Sequence, residues 1–226
     1  MTPRRAAKVK LHASAVTGHI RTASCRIESG RTEIPLHLAP YGSAFIMFGK
    51  TAPGRSRQFP RPPVRMLRTL RGPWHIEREP GLAAPASMVL PHLKSWTTGR
   101  IPGVKYFSGT ATYTHTFDLD GNERAEQSFL ALGNLGELAR VRVDGKRVRA
   151  LGTPPLRVDI TRYLRPGINT LSIEVTNPSV NRLIGDQQPG VAHKYTLTIT
   201  PTYESNAPLR TSGRLGPVRL QAAPAN

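Results

Sequence analysis

From residue 109 onward the chain alternates. In GTATYTHTFDL, Ala111, Tyr113, His115, Phe117 and Leu119 fall on one side of an extended backbone, and Thr112, Thr114, Thr116 and Asp118 fall on the other. That is the period-two pattern of a half-buried strand. Phe129 to Leu132 make a second short run that ends in the Gly133-Asn134-Leu135-Gly136 turn. In LARVRVDGKRV, Ala139, Val141 and Val143 face inward, Arg140 and Arg142 face outward, and Asp144-Gly145 supplies the positive-φ pair of a tight hairpin. Leu156, Val158 and Ile160 alternate next. Thr161 is placed to cap one helical turn through Leu164, and Pro166-Gly167 ends it. Three further alternating runs follow: Leu171, Ile173 and Val175; Tyr195, Leu197 and Ile199; Val218 and Leu220. No amphipathic helix of any length interrupts them. The pattern predicts an all-β fold, a jelly-roll β-sandwich over residues 71–222, with 223–226 as a tail.

The first part of the chain reads differently. Residues 1–52 contain short β-favouring runs: Ile34, Leu36 and Leu38 alternate with Pro35 and His37, and Ala44 to Phe48 is a continuous apolar run suited to a buried strand. A free-standing sheet of two or three strands is marginal in water. The segment is therefore expected to be a partial β segment, the end of a preceding domain. Residues 53–70 are rich in proline and arginine and contain no acid, which opposes both helix and central strand and predicts a linker.

Charge follows the same division. The 226 residues carry 32 Lys and Arg against 14 Asp and Glu, a net charge of +18, which makes anionic neighbours more probable than cationic ones. Most of the excess sits in the first 70 residues. Nucleic acid is the weaker reading of this basic third, because single-strand binders interleave aromatic residues with basic ones and only Phe59 does so here. No run approaches the length of a membrane-spanning helix, and the N-terminus lacks a secretory apolar run. As given, the chain is expected to stay in the cytoplasm and away from membranes. A single cysteine, Cys25, allows no internal disulfide and reads as a small buried hydrophobe.

The motifs then become specific in their succession. GPWHIE (72–77), SW (95–96), YFSGTATYTHTF (106–117), FLALGNLGELARVRVDGKRV (129–148), PLRVDITRYLRPGINTLSIEVTN (155–177) and SGRLGPVRL (212–220) occur in this order. The succession resembles the galactose-binding-like jelly roll of large modular glycoside hydrolases. In particular it is similar to the C-terminal region of family 106 α-L-rhamnosidase-like enzymes and, more distantly, to the sugar-binding domain of family 2 glycosidases. The segment GRTEIPLHLAPYGSAFIMF resembles the stretch just before that region, so the resemblance spans about residues 18–222. It implies a carbohydrate context in an enzyme whose catalytic residues lie on a barrel domain outside this chain, although the resembled enzymes are often exported. The expected partners are a glycoside hydrolase catalytic domain, or a split partner chain bearing it, and carbohydrate.

The residues themselves offer little catalytic chemistry. Glycoside hydrolysis needs two carboxyl groups at a defined spacing. The adjacent pairs, Glu77 with Glu79 and Asp118 with Asp120, read as a solvated strand face and a polar turn. DLDGNE (118–123) faintly resembles a calcium loop but lacks further ligand positions. The seven histidines show no metal-ligand spacing, and His115 reads as a core histidine. GxSxG, P-loop and GxGxxG motifs are absent. No catalytic residue, metal or cofactor is therefore expected; the alternative is an enzyme active only with a partner chain.

Sugar binding requires an aromatic face and a few fixed polar groups. Trp96 and Tyr106 flank the Gly99–Gly103 loop, and Asn177, Asn181, Arg182 and Asp186 lie in a long connection between strands. These six are the candidate ligand-binding residues. The competing and favoured role for Trp96, as for Trp74, is a core or interdomain anchor.

Overall fold

The computed structural model describes residues 9–14, 20–21, 24–29, 31–36, 38, 40, 42–48, 63–120, 127–200 and 202–224. Residues 53–62 of the expected linker, with Phe59, and residues 121–126 of the calcium-like stretch lie outside the described residues. The chain divides into two compact units, the first Met1–Pro62 with Thr153–Pro155 and Asn226, the second Pro63–Gly152 with Leu156–Ala225.

In the first unit, β1 (Val9–Ser14) lies between β2 (Ile20–Arg21) and β5 (Ala44–Phe48), while β3 (Arg26–Glu28) and β4 (Arg31–Glu33) form a hairpin. Cys25 is buried among Ile27, Ile34 and Ile46. The apolar run 44–48 is not the buried strand expected from its composition: Ile46 packs on that cluster, but Phe45 and Met47 on the opposite face are 65% and 41% exposed. A strand has two faces, and the described residues of this unit cover only one of them.

The second unit is a β-sandwich of two antiparallel sheets. Its strands are β6 (Arg65–Leu70), β7 (Trp74–Arg78), β8 (Ser87–Leu90), β9 (Gly109–Leu119), β10 (Gln127–Ala131), β11 (Asn134–Leu135), β12 (Leu138–Val143), β13 (Lys146–Leu151), β14 (Arg157–Asp159), β15 (Gly167–Asn177), β16 (Arg214–Gly216) and β17 (Val218–Ala223). One sheet runs β13-β12-β15-β9-β7-β8 and the other β14-β10-β17-β6, with β11 and β16 paired separately. The alternation read from the sequence is the physical cause of this layering. Ala111, Tyr113, Phe117, Val141, Val143, Leu171, Ile173 and Val175 of the larger sheet share one core with Leu70, Leu130, Val158, Val218 and Leu220 of the smaller. His115 is half-buried, stacks on Trp74 at 4.7 Å and hydrogen-bonds the Pro73 carbonyl oxygen at 2.9 Å.

Two sequence expectations are corrected here. Residues 65–70, counted with the linker, form β6 and pair with β17. The prolines stop at Pro63, and an edge position tolerates the exposed Arg65 and Met66. Tyr195, Leu197 and Ile199, whose alternation predicts a strand, lie outside any strand, with Leu197 99% and Ile199 104% exposed. Alternation supplies a strand with a face but not with a neighbour, and no described strand offers this stretch a pairing edge.

The turn at Thr161–Tyr163 is a single 3-10 turn. Ile160 occupies the cap position and makes no side-chain capping bond, so Thr161 is not the cap expected of it; Asp159 Oδ1, one residue earlier, accepts from the Thr161 backbone N–H at 2.8 Å. Thr161 Oγ1 instead accepts from the Ser128 N–H at 2.9 Å and ties the turn to β10.

Candidate carbohydrate-facing site

The inward row of β15 begins and ends on asparagine: Asn169 and Asn177 bracket Leu171, Ile173 and Val175. Asn169 closes the Arg165–Gly167 turn by donating to the Arg165 and Gly167 carbonyls at 2.7 and 2.8 Å. Asn177 Oδ1 accepts from the Gly213 N–H at 2.6 Å. Immediately after Asn177, the six-residue helix α2 (Val180–Gly185) begins the long connection that returns to β16. The connection has almost no regular structure, so its backbone groups need side-chain partners. The candidate polar residues provide them.

Asn181 is 1% exposed, and its amide grips one residue: Nδ2 donates to the Arg210 carbonyl at 2.6 Å and Oδ1 accepts from the Arg210 N–H at 2.8 Å. Asp186 is equally buried. Its Oδ2 accepts from the N–H groups of Tyr195 and Thr196 at 2.9 and 2.7 Å and from Thr196 Oγ1 at 2.6 Å. Its Oδ1 lies 3.0 Å from Arg182 Nε, an i,i+4 ion pair formed across α2. The Arg182 guanidinium stands 5.0 Å from the Tyr195 ring centroid and 6.0 Å from that of Tyr106, within cation–π range of both. Tyr106 follows the short helix α1 (Pro102–Lys105). Gly185 is required for its approach, since a Cβ there would lie 2.6 Å from the Tyr106 Cβ and 2.5 Å from Arg182 Nη2.

Trp96 takes its place in a different cluster. It is 2% exposed, stacked on Tyr113 at 5.9 Å, edge-on to Phe107 at 5.1 Å and covered by the Arg78 guanidinium at 4.9 Å. No ring face is left for a sugar, and Trp96 and Trp74 both belong to the core. Arg214 is 0% exposed and donates from Nη1 to the Asn134 carbonyl at 3.0 Å. Burial raises the Tyr113 phenol above its ordinary pKa and pushes Arg214 down to about 10. Arg78 is lowered for the same reason.

The structure therefore brings Tyr106, Arg182 and Asp186 together, places Trp96 and Asn177 around Gly213, and sets Asn181 on the strand-returning segment. The rings of Tyr106 and Tyr195 are half-buried and His193 is exposed, its ring 4.7 Å from that of Tyr195. Lys105 Nζ adds a cation 5.3 Å from Tyr106. Tyr195 and His193 were missed in the sequence because Tyr195 reads as the start of an alternating strand. Arg214 gave no signal in SGRLGPVRL beyond one more basic residue. The carboxylates Glu77, Glu79, Asp118 and Asp120 are all exposed. Among the described residues, no three or more His, Cys, Asp and Glu side chains gather as metal ligands, and no helix is long and apolar enough to cross a membrane.

Comparison with known proteins gives this geometry a context. No family model matches the chain. The structure of a rhamnosidase from Novosphingobium sp. PP1Y superposes with a TM-score of 0.87 at 40% identity, over 97% of this chain and 21% of that one. A putative β-glucuronidase of Formosa agariphila is 39% identical over 124 residues, 53% of this chain and 10% of its own length. A β-glucuronidase from Ruminococcus gnavus superposes with a TM-score of 0.52 at 18% identity, a likeness of fold alone. The protein is thus a β-sandwich chain related to glycoside hydrolases. It spans 21% of the rhamnosidase and 10% of the curated relative.

Proposed function

We propose that this chain is the accessory region of a family 106 α-L-rhamnosidase-like enzyme: a galactose-binding-like sandwich that braces a catalytic domain carried elsewhere, binds carbohydrate weakly and does not itself hydrolyse it. The observation that carries this reading is the rhamnosidase match, which takes in 97% of this chain but 21% of the enzyme. The chemistry of the site supports it. Asn177, Asn181 and Asp186 direct their hydrogen bonds to the chain's own backbone, whereas a hydrolase site holds two carboxyl groups toward the scissile bond. The half-buried rings of Tyr106 and Tyr195, with His193 and Lys105 near them, suit the apolar face and hydroxyl rim of a pyranose.

The test is affinity electrophoresis of the purified chain through gels containing a rhamnose-bearing polysaccharide, with an aryl-rhamnoside assay in parallel. Retardation that survives raised salt, without turnover, is expected. Turnover by the chain alone overturns the non-catalytic reading. Binding to DNA that weakens steeply with salt, in place of the polysaccharide, points to the basic first third instead.

A further inference from the structure

Among the described residues three arginines are buried: Arg78, Arg182 and Arg214, at 6%, 5% and 0% exposure. A guanidinium stays protonated at neutral pH, so each of these charges needs compensation inside the protein. Arg182 has the Asp186 carboxylate at 3.0 Å. Arg78 lies over the rings of Trp96 and Phe107, 4.9 and 5.6 Å from their centroids, and donates to the Pro85 carbonyl at 2.6 Å. Arg214, the most deeply buried, has neither a carboxylate nor a ring. Its side chain makes one hydrogen bond among the described residues, from Nη1 to the Asn134 carbonyl, and its Nε and Nη2 are buried without partners. Those two nitrogens form the edge of a guanidinium that receives an anion through two parallel N–H bonds.

The residues around this segment carry an imbalance of the same sign. Ser212 Oγ, Asn177 Nδ2 and Trp96 Nε1 are also buried without partners. Ser212 precedes Gly213, Asn177 Oδ1 accepts from the Gly213 N–H at 2.6 Å, and a Cβ on Gly213 would lie 2.9 Å from Trp96 Nε1. All of these atoms can donate a hydrogen bond, and only the serine hydroxyl can also accept one. Burial and the Tyr113 phenol act on the Arg214 charge, with no carboxylate among its neighbours, and burial keeps that phenol protonated at neutral pH.

We propose that the Nε and Nη2 edge of Arg214 binds one small monovalent inorganic anion of the halide class, which supplies the missing counter-charge inside the sandwich. Complete burial sets the size, since a side chain with 0% exposure is out of reach of a sugar acid or of an acidic side chain of another protein. The single positive charge sets the valence. Water would meet the N–H groups but leave the charge uncompensated, and it would bring donors of its own to a place that lacks acceptors. Arg214 opens β16, where the long connection ends. The anion thus secures that end, as Asp186 secures Tyr195 and Thr196 within the connection.

The test uses the full chain, unfolded and refolded in sodium gluconate so that no halide is carried in; gluconate is too large for a closed interior. Urea unfolding is then followed as chloride replaces gluconate at constant ionic strength. One anion held by the native state alone lowers the unfolding equilibrium constant about tenfold for each tenfold rise in chloride above its dissociation constant. The wild type is expected to show this dependence, and Arg100→Met, at an exposed position, to keep it. Arg214→Met, which keeps an unbranched side chain and removes the charge, is expected to lose it. A wild type indifferent to chloride, or an Arg214→Met variant with the wild-type dependence, overturns the proposal. A second measurement needs no variant: crystals of the wild-type chain grown in bromide are expected to give an anomalous peak beside Arg214 Nε and Nη2. The lack of a peak there, with or without bromide at the surface, overturns the site.

Discussion

The backbone N–H of Arg214 donates to the phenolic oxygen of Tyr113 at 3.0 Å across 101 residues of sequence. Both residues are 0% exposed, and Trp96 stacks on the same tyrosine ring. One hydroxyl therefore joins the centre of the larger sheet to the strand that ends the long connection.

Tyr113→Phe keeps the ring and removes that acceptor. A buried N–H left without its partner costs about 1–3 kcal/mol, so urea unfolding should show a loss of that size. The variant should also change the alkaline limb of stability. Above pH 10 the unfolded chain gives up the Tyr113 proton that the native state keeps, which favours unfolding. Over about pH 10 to 12.5, native Arg214 gives up a proton that the unfolded chain keeps, which favours folding. The two slopes oppose each other in the wild type, and Tyr113→Phe removes the first. Its stability should then fall less steeply above pH 10 than that of the wild type.

Gly213 has φ +78, and a Cβ there would lie 2.9 Å from Trp96 Nε1 and from Tyr113 Oη. Gly213→Ala combines left-handed backbone strain with overpacking against two buried rings, together roughly 2–5 kcal/mol. Thermal unfolding should show a large drop, and Gly145→Ala, at a turn with nothing within 4 Å, should cost less.

Asp186→Ala leaves Arg182 buried without its counter-charge and frees the backbone of Tyr195 and Thr196. Losing one member of a buried pair costs roughly 3–5 kcal/mol. The damage should be local at first, so limited proteolysis is expected to cut within residues 190–200 before the sandwich opens.

Tyr106→Ala and Tyr195→Ala test the carbohydrate-facing rings. Each removes one face from Arg182, at a stability cost of about 0.5–2 kcal/mol, and each should abolish most of the retardation in polysaccharide gels with the strand spectrum unchanged. Trp96→Phe should leave binding intact, because the indole lies inside the core.

Much of the fold was legible in the chain, because a strand's inward and outward positions are set by a strictly local rule of period two. Ala111, Tyr113, Val141, Ile173 and Leu220 could be placed in the core from alternation alone, and the Asp144-Gly145 turn from its residue types. The ordered motifs also carried the relation to glycoside hydrolases. Partnership was not legible, since it depends on which segments meet. The pattern of Tyr195, Leu197 and Ile199 equals that of a paired strand, yet among the described residues no strand edge receives it. Arg65 to Leu70 looked like linker, yet β17 does receive it. The site depended on tertiary structure for the same reason. Trp96 and Tyr106 look alike as loop aromatics, but the packing of Arg78, Phe107 and Tyr113 buries one, while the other stays half-buried within cation–π range of Arg182.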